Sequence, residues 1–285
     1  MRESTRAGIL WMAISTLLYV LQEAILKNLT LSIDIFNIVL FRNIFGLLFF
    51  LPLLIQGRFK GLRIVNKKMI LLRAIFGFGA MTSYIYALKN GAFLMIGSIS
   101  LLVPLITAFL VPILLKENIP SRLKVVFILS LIAAIFITFG KQHLKQSFNL
   151  GIIFVFISMF FNAGIFIIIK LLTKSESNFT ISVWMSITQI MFSLPFSFIS
   201  LEWPQGLNIM WLAIAGILAA LGQITMAQAL RVSDTTTTMV SSSFLRFVWV
   251  FLLSIFFFNE TPNLFEIIGA LILVSVNIMA MYNNK

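Results

Sequence analysis

The sequence predicts an all-α integral membrane fold of ten transmembrane helices arranged as two inverted five-helix repeats, and three observations predict it. Sixty per cent of the 285 residues are hydrophobic and only 11% are charged, a balance that no soluble fold of this length presents to water. Apolar stretches of about 20 residues, the length a helix needs to cross the hydrocarbon layer, follow one another along the chain. Sparse residue types also recur at a separation of 143 positions: Gly8 with Gly151, Ser15 with Ser158, Lys27 with Lys170, Thr30 with Thr173, Pro52 with Pro195 and Glu117 with Glu260.

The stretches fall near 8–27, 35–55, 70–89, 93–115, 123–141, 150–171, 180–201, 208–230, 235–258 and 264–283. Helix is forced in each, because backbone groups in lipid must bond within their own segment and no period-2 alternation marks a β-barrel. The opening Met1 to Leu21 is expected to stay as the first span, since Gln22-Glu23-Ala24 is a poor cleavage site for a signal peptide. With the N-terminus inside, the cytoplasmic loops hold most of the Lys and Arg, the run from Arg58 to Lys68 above all. The outer loops hold Lys27, Lys89, Lys141 and Lys145. The asymmetry predicts a multi-pass protein of the bacterial inner membrane with both termini cytoplasmic. Each half, residues 1–145 and 146–285, carries five spans, and an odd number makes the second copy insert the opposite way round. Such repeats point to secondary transport, with a site near midplane between the halves.

Several functions are excluded or disfavoured. There is no cysteine, so no disulfide or thiolate metal site, and the formal net charge of +12 is carried by basic residues set between apolar runs. That placement suits contact with anionic membrane lipids, not nucleic acid. No GxxxxGK[ST] loop marks ATP use. An enzyme is not expected: the lone histidine, His143, lies in an outer loop, and neither HExxH nor a pair of intramembrane aspartates occurs. No cofactor and no metal is expected. A homodimer is compatible with the sequence.

Short motifs give a family resemblance over essentially the whole chain. Half one holds Phe41-Arg42-Asn43 with Gly46 and Pro52, then Leu72-Arg73-Ala74, Tyr86-Ala87-Leu88, and Pro104 followed by Glu117. Half two holds Ala227-Gln228-Ala229-Leu230 and Phe244-Leu245-Arg246-Phe247 ending at Asn259-Glu260. In this order and spacing they resemble the EamA family of the drug/metabolite transporter superfamily. The resemblance implies a ten-helix permease with both termini inside and a central cavity lined mainly by the first four helices of each half. In half two the proline opposite Pro104 is absent, and Arg246 stands nearby.

Arg246 is the first candidate for substrate binding, because an arginine at the bilayer centre costs at least about 2.5–3.5 kcal/mol and needs a cavity or a partner. Its guanidinium suits a carboxylate or phosphate; a helix-to-helix bond to carbonyls or to Gln223 is the structural reading. Gln223, Gln228 and Asn162 are polar groups inside spans; Gln223 and Gln228 belong to the eighth span, which corresponds to the third, where Tyr84 and Tyr86 sit at the comparable depth. Most such groups simply tie helices together. Tyr84, Tyr86 and Trp249 can stack on a planar or cationic solute, or simply pack. Glu23 and Arg42, near the outer ends of spans joined by a short loop, are expected to meet as a structural ion pair or as a proton-coupling site, with Lys27 competing for Glu23. Asp234 is read as the cap of the ninth span and Glu117 and Glu260 as cap or loop residues, while Pro52, Pro104, Pro112 and Pro195 can kink their helices. The expected function is gradient-driven or exchange transport of a small metabolite, such as an amino acid or derivative, by alternating access. Export of amphipathic or drug-like compounds and a lipid flippase are the alternatives.

Overall fold

The computed structural model describes residues 3–57, 59–103, 150–200, 203–233 and 235–260, with scattered positions between 106 and 136 and between 264 and 276. The predicted spans 123–141 and 264–283 therefore fall largely outside the described residues, as do Pro104, Pro112, Glu117, His143 and Asp234.

The described residues form helices α1 (Glu3–Leu29), α2 (Ile35–Gln56), α3 (Lys67–Asn90), α4 (Phe93–Ile99), α5 (Leu150–Leu172), α6 (Asn178–Ser197), α7 (Leu207–Val232) and α8 (Thr235–Phe258). Among them, α1, α2, α3, α5, α6 and α7 are each long and apolar enough to cross a membrane, and the chain is a multi-pass membrane protein. The helix α4 runs on as a 3₁₀ turn, Ser100–Leu102. Pro52 and Pro195 both sit inside their helices, near the C-terminal ends of α2 and α6.

Polar side chains close the helix ends, where the first backbone N–H groups lack intrahelical acceptors. The Asp34 carboxylate accepts from Phe36 N at 2.9 Å to start α2. Ser177, 143 positions later, accepts from Thr180 N at 2.9 Å to start α6. Glu260, beyond α8, reaches α4 and accepts from Phe93 N at 3.0 Å and Leu94 N at 2.8 Å. The cap expected of it is thus real but belongs to a helix 167 positions away.

Neighbouring helices are set by small residues and by carbonyl clasps. Gly8 of α1 lies against Ser233 and the Ala229 carbonyl at the far end of α7, and Ser15 donates to Gly222 O at 2.9 Å. α1 and α7 are therefore antiparallel. In the same way Gly151 of α5 lies against Ala87 O and Asn90 O of α3, and Ser158 donates to Ala80 O at 3.1 Å. Lys27, in the last turn of α1, donates to Leu88 O and, at 2.6 Å, to Gly91 O. Lys170, in the last turn of α5, donates to Leu230 O and, at 2.7 Å, to Ser233 O. These ammonium groups satisfy carbonyls that a helix C-terminus leaves without intrahelical donors. The Lys27 ammonium is thereby committed to α3 and forms no ion pair with Glu23, whose carboxylate pairs with Arg246.

Lys27→Met and Lys170→Met are each expected to cost about 1–3 kcal/mol of stability through the orphaned carbonyls. Thermal unfolding of the detergent-solubilised protein reads this as a lower midpoint; an unchanged midpoint in both variants would remove the clasps from the account.

Candidate functional site

Where α1, α2, α3, α5, α6, α7, α8 and the 3₁₀ turn after α4 face one another they leave a cavity of about 170 Å³. Its wall is mostly apolar, with Met12, Met81, Met159 and Met226 prominent, but it contains four charged side chains: Glu23, Arg42, Arg73 and Arg246. Charges this deep are retained only where they have partners or face a polar hollow.

Arg246, from the middle of α8, donates from Nη2 to Glu23 Oε2 at 2.7 Å and to the Tyr84 hydroxyl at 3.0 Å. The Tyr84 hydroxyl in turn donates to Glu23 Oε2 at 2.9 Å, and the guanidinium carbon stands 5.8 Å from the centre of the Tyr84 ring. Three helices, α1, α3 and α8, are joined through one carboxylate oxygen. Arg246 thus faces the cavity with an acidic partner, and neither the bond to Gln223 nor a backbone bond accounts for it. The expected meeting of Glu23 with Arg42 does not occur.

About one helical turn away along α1, roughly 6 Å, a second polar group forms around Gln223 of α7. Its Oε1 accepts from the Tyr19 hydroxyl at 2.9 Å and from Arg73 Nη2 at 3.2 Å. Arg73 also approaches the Met185 sulfur at 3.3 Å, while its Nε and Nη1 are buried without a hydrogen-bond partner. Arg42 approaches the Met81 sulfur at 3.2 Å and bonds Asn43 Oδ1 at 3.2 Å, and its Nε is likewise buried and unpartnered. Both residues are almost fully buried, at 2% exposure for Arg42 and 4% for Arg73. Among the described residues no carboxylate lies within ion-pair distance of either, since the one such pair of cavity residues joins Arg246 and Glu23. Thioethers and amides are weak compensation for two buried guanidinium groups.

Gly77 leaves room for this arrangement: a Cβ there would lie 2.4 Å from Arg73 Nη1 and 2.7 Å from Gln189 Nε2. Gln189 is fully buried with both amide atoms unpartnered, and Gln22 Oε1 and Gln223 Nε2 are in the same condition. The site thus presents unsatisfied donors and acceptors, which normally find a partner when buried.

Of the residues singled out from sequence, Arg246, Gln223, Tyr84, Asn162, Glu23 and Arg42 line the cavity. Asn162 does so with its amide nitrogen tied to Ser158 O at 3.0 Å. Gln228 lies elsewhere, at the end of α7, where it accepts from Asn178 Nδ2 at 2.6 Å. Tyr86 packs its ring 4.2 Å from that of Phe154, outside the cavity wall. Trp249 is half-buried against the central apolar core and is likewise off the wall. Arg73 and Tyr19 are the hydrogen-bonding partners of Gln223 in the wall, and neither stood out as a site residue in the sequence. The insertion-cost argument applied to Arg246 extends in weaker form to Arg73, which stands near one end of its predicted span, and was the signal available for it.

The EamA-like transporter family model matches this chain over residues 6–139 and again over 149–281. The S-adenosylmethionine uptake transporter of Rickettsia prowazekii (strain Madrid E) is 25% identical over 278 residues, 98% of this chain and 93% of that protein. The protein of the same name from Rickettsia conorii (strain ATCC VR-613 / Malish 7) is 26% identical over 280 residues, with the same coverage. A solved protein crystal structure superposes with a TM-score of 0.71 over 98% of both chains at 14% identity, a likeness of fold alone. Matched once in each half around a shared charged cavity, the chain belongs to the EamA-like transporter family.

Proposed function

We propose that this chain is a secondary transporter that takes up a small carboxylate-bearing, amino-acid-type metabolite of the S-adenosylmethionine class. Arg42 and Arg73, two deeply buried guanidinium groups with no acidic partner among the described residues, carry this reading. A carboxylate delivered by the solute completes them, and guanidinium is the group whose planar fork fits it. The curated relatives, named for uptake of S-adenosylmethionine, agree with this chemistry: that molecule has an amino-acid end and a flat aromatic base. Tyr19 and Tyr84 offer aromatic faces to such a base, and the orphaned amides of Gln22 and Gln223 offer its edge an acceptor and a donor. Export of drug-like apolar compounds fits less well, because a wall with three arginines would lose hydration without gaining a counter-charge.

In this reading the two halves, 1–145 and 146–285, are inverted five-helix repeats that rock about the cavity in a bacterial inner membrane, with both termini cytoplasmic. The matched serine bonds and lysine clasps at Ser15 and Ser158 and at Lys27 and Lys170 support it. Purified protein in sealed liposomes is expected to give saturable uptake of radiolabelled S-adenosylmethionine, which empty liposomes lack and excess unlabelled compound abolishes. Folded protein that neither accumulates the compound nor is thermally stabilised by it would overturn the substrate class.

A further inference from the structure

We propose that Glu23 is the residue through which the cavity recognises a positive centre on its substrate, and that Arg246 is an internal counter-ion which the substrate cation replaces. The inference rests on the reading of the chain as a carrier of charged amino-acid-type metabolites. It adds the group that discriminates among them.

Among the described residues, Glu23 is the sole acidic side chain that lines the cavity. A solute bearing a sulfonium or ammonium group meets three guanidinium groups in this wall and gains a counter-charge from Glu23 alone. In a water-poor hollow that term is large, because charges interact far more strongly there than in bulk water. The way Glu23 is held leaves room for the exchange. Both of its contacts among the described residues, Arg246 Nη2 and the Tyr84 hydroxyl, fall on Oε2, so the pairing is end-on, and none of those residues donates a hydrogen bond to Oε1. A bidentate fork, the tighter geometry for arginine and carboxylate, would have used both oxygens.

Arg246 also keeps partners if it releases Glu23. Its Nη2 is already bonded to the Tyr84 hydroxyl and its guanidinium stands over the Tyr84 ring, so displacement does not strand it in an apolar wall. The Tyr84 hydroxyl, accepting from Arg246 while donating to Glu23, stays bonded to the carboxylate throughout. Glu23 lies about one turn, roughly 6 Å, from the Tyr19, Arg73 and Gln223 group on the α1 axis. One solute can therefore place a carboxylate at the arginines and a cation at Glu23.

The test compares binding of two ligand pairs to the full-length protein in nanodiscs. S-adenosylmethionine is set against its uncharged thioether, S-adenosylhomocysteine, and S-methylmethionine against methionine; each pair differs by one methyl group and one positive charge. Wild type is expected to favour the sulfonium member of each pair by about tenfold, as a difference of affinities built from one charge contact. Glu23→Gln should bring the ratio close to one, and Arg73→Gln should weaken both members while leaving the ratio intact. Arg246→Gln should raise the preference for the sulfonium member, because the competitor inside the protein is gone. An unchanged ratio in Glu23→Gln, or an unchanged or lowered one in Arg246→Gln, overturns the assignment, and the second variant decides alone if the first does not fold. Preference confined to the methionine pair would sink the adenosyl substrate class and leave the role of Glu23 standing; no preference in either pair overturns that role.

Discussion

Arg73→Leu is expected to abolish uptake while leaving the protein as stable as wild type or more so. Truncating the guanidinium removes charge-assisted bonds worth about 1.5–3 kcal/mol each, which lowers apparent affinity for a carboxylate-bearing solute by about 10- to 100-fold per bond. The stability prediction has the opposite sign to that of an ordinary core mutation. Arg73 is 4% exposed, its Nε and Nη1 make no hydrogen bond, and its Nη2 relies on one amide oxygen and one thioether. Exchanging such a charge for a hydrophobic side chain of similar volume is commonly neutral or stabilising. Uptake and thermal midpoint, measured on the same preparation, should therefore move apart, the pattern of a residue kept for function at a cost in stability. Arg42→Leu should behave alike, since its Nε is also buried without a partner. A variant that still transports, or that loses both transport and stability together, would return Arg73 to a structural role.

The contrast between Arg246 and Arg73 shows how far the site could be read from the chain. Arg246 lies near the middle of an apolar run, where the insertion cost makes it conspicuous. Arg73 comes three residues into the predicted stretch 70–89, where a long side chain can snorkel to the interface. The helix in fact begins at Lys67, which sinks Arg73 by almost a turn and buries it. Glu23 and Arg42 invited pairing because a short loop joins their helices, yet the partner of Glu23 comes from α8, 223 positions on. Local sequence carries no trace of that contact. Geometry also explains the choice within each polar pair. Tyr84 and Tyr86 are separated by about 200° around a helix of 3.6 residues per turn, and Gln223 and Gln228 by about 140°, so one member of each pair faces the cavity and the other faces a neighbouring helix.

The helices themselves were legible because lipid leaves an apolar run of this length no other structure, and α1, α2, α3, α5, α6 and α7 fall where hydropathy put them, within a few residues at the ends. Their pairing was not legible from hydropathy, which says nothing of which face meets which helix. It was partly encoded in the recurring identities. Gly8 and Gly151, Ser15 and Ser158, and Lys27 and Lys170 are the residues at which α1 touches α7 and α3, and α5 touches α3 and α7. What the offset could not supply was the identity of the surfaces they meet.

Gly216→Val is expected to leave little folded protein. The α2 and α7 helices cross at Gly46 and Gly216, and a Cβ on Gly216 would stand 2.4 Å from Arg42 O, 2.8 Å from Gly46 N and 3.0 Å from Phe45 Cβ. The first two are backbone atoms in the interior of a helix, so no rotamer change relieves the overlap. The helices must separate, and membrane helices rely on such close approach at small residues for their packing energy. A single added methylene in a filled core already costs about 1–3 kcal/mol; three carbons driven against backbone should exceed that range. Separation would also carry Arg42 away from the cavity, so any protein that survives should transport poorly. Gly222→Ala is the control, about one and two-thirds turns further along the same helix, where the atoms nearest to an added Cβ are those of the Tyr19 ring at 3.4 Å. Ordinary van der Waals contact of this kind predicts a near-normal midpoint. Size-exclusion profiles and thermal unfolding of the two variants in one detergent check the contrast: equal stability would show that the crossing at Gly216 does not hold α2 against α7.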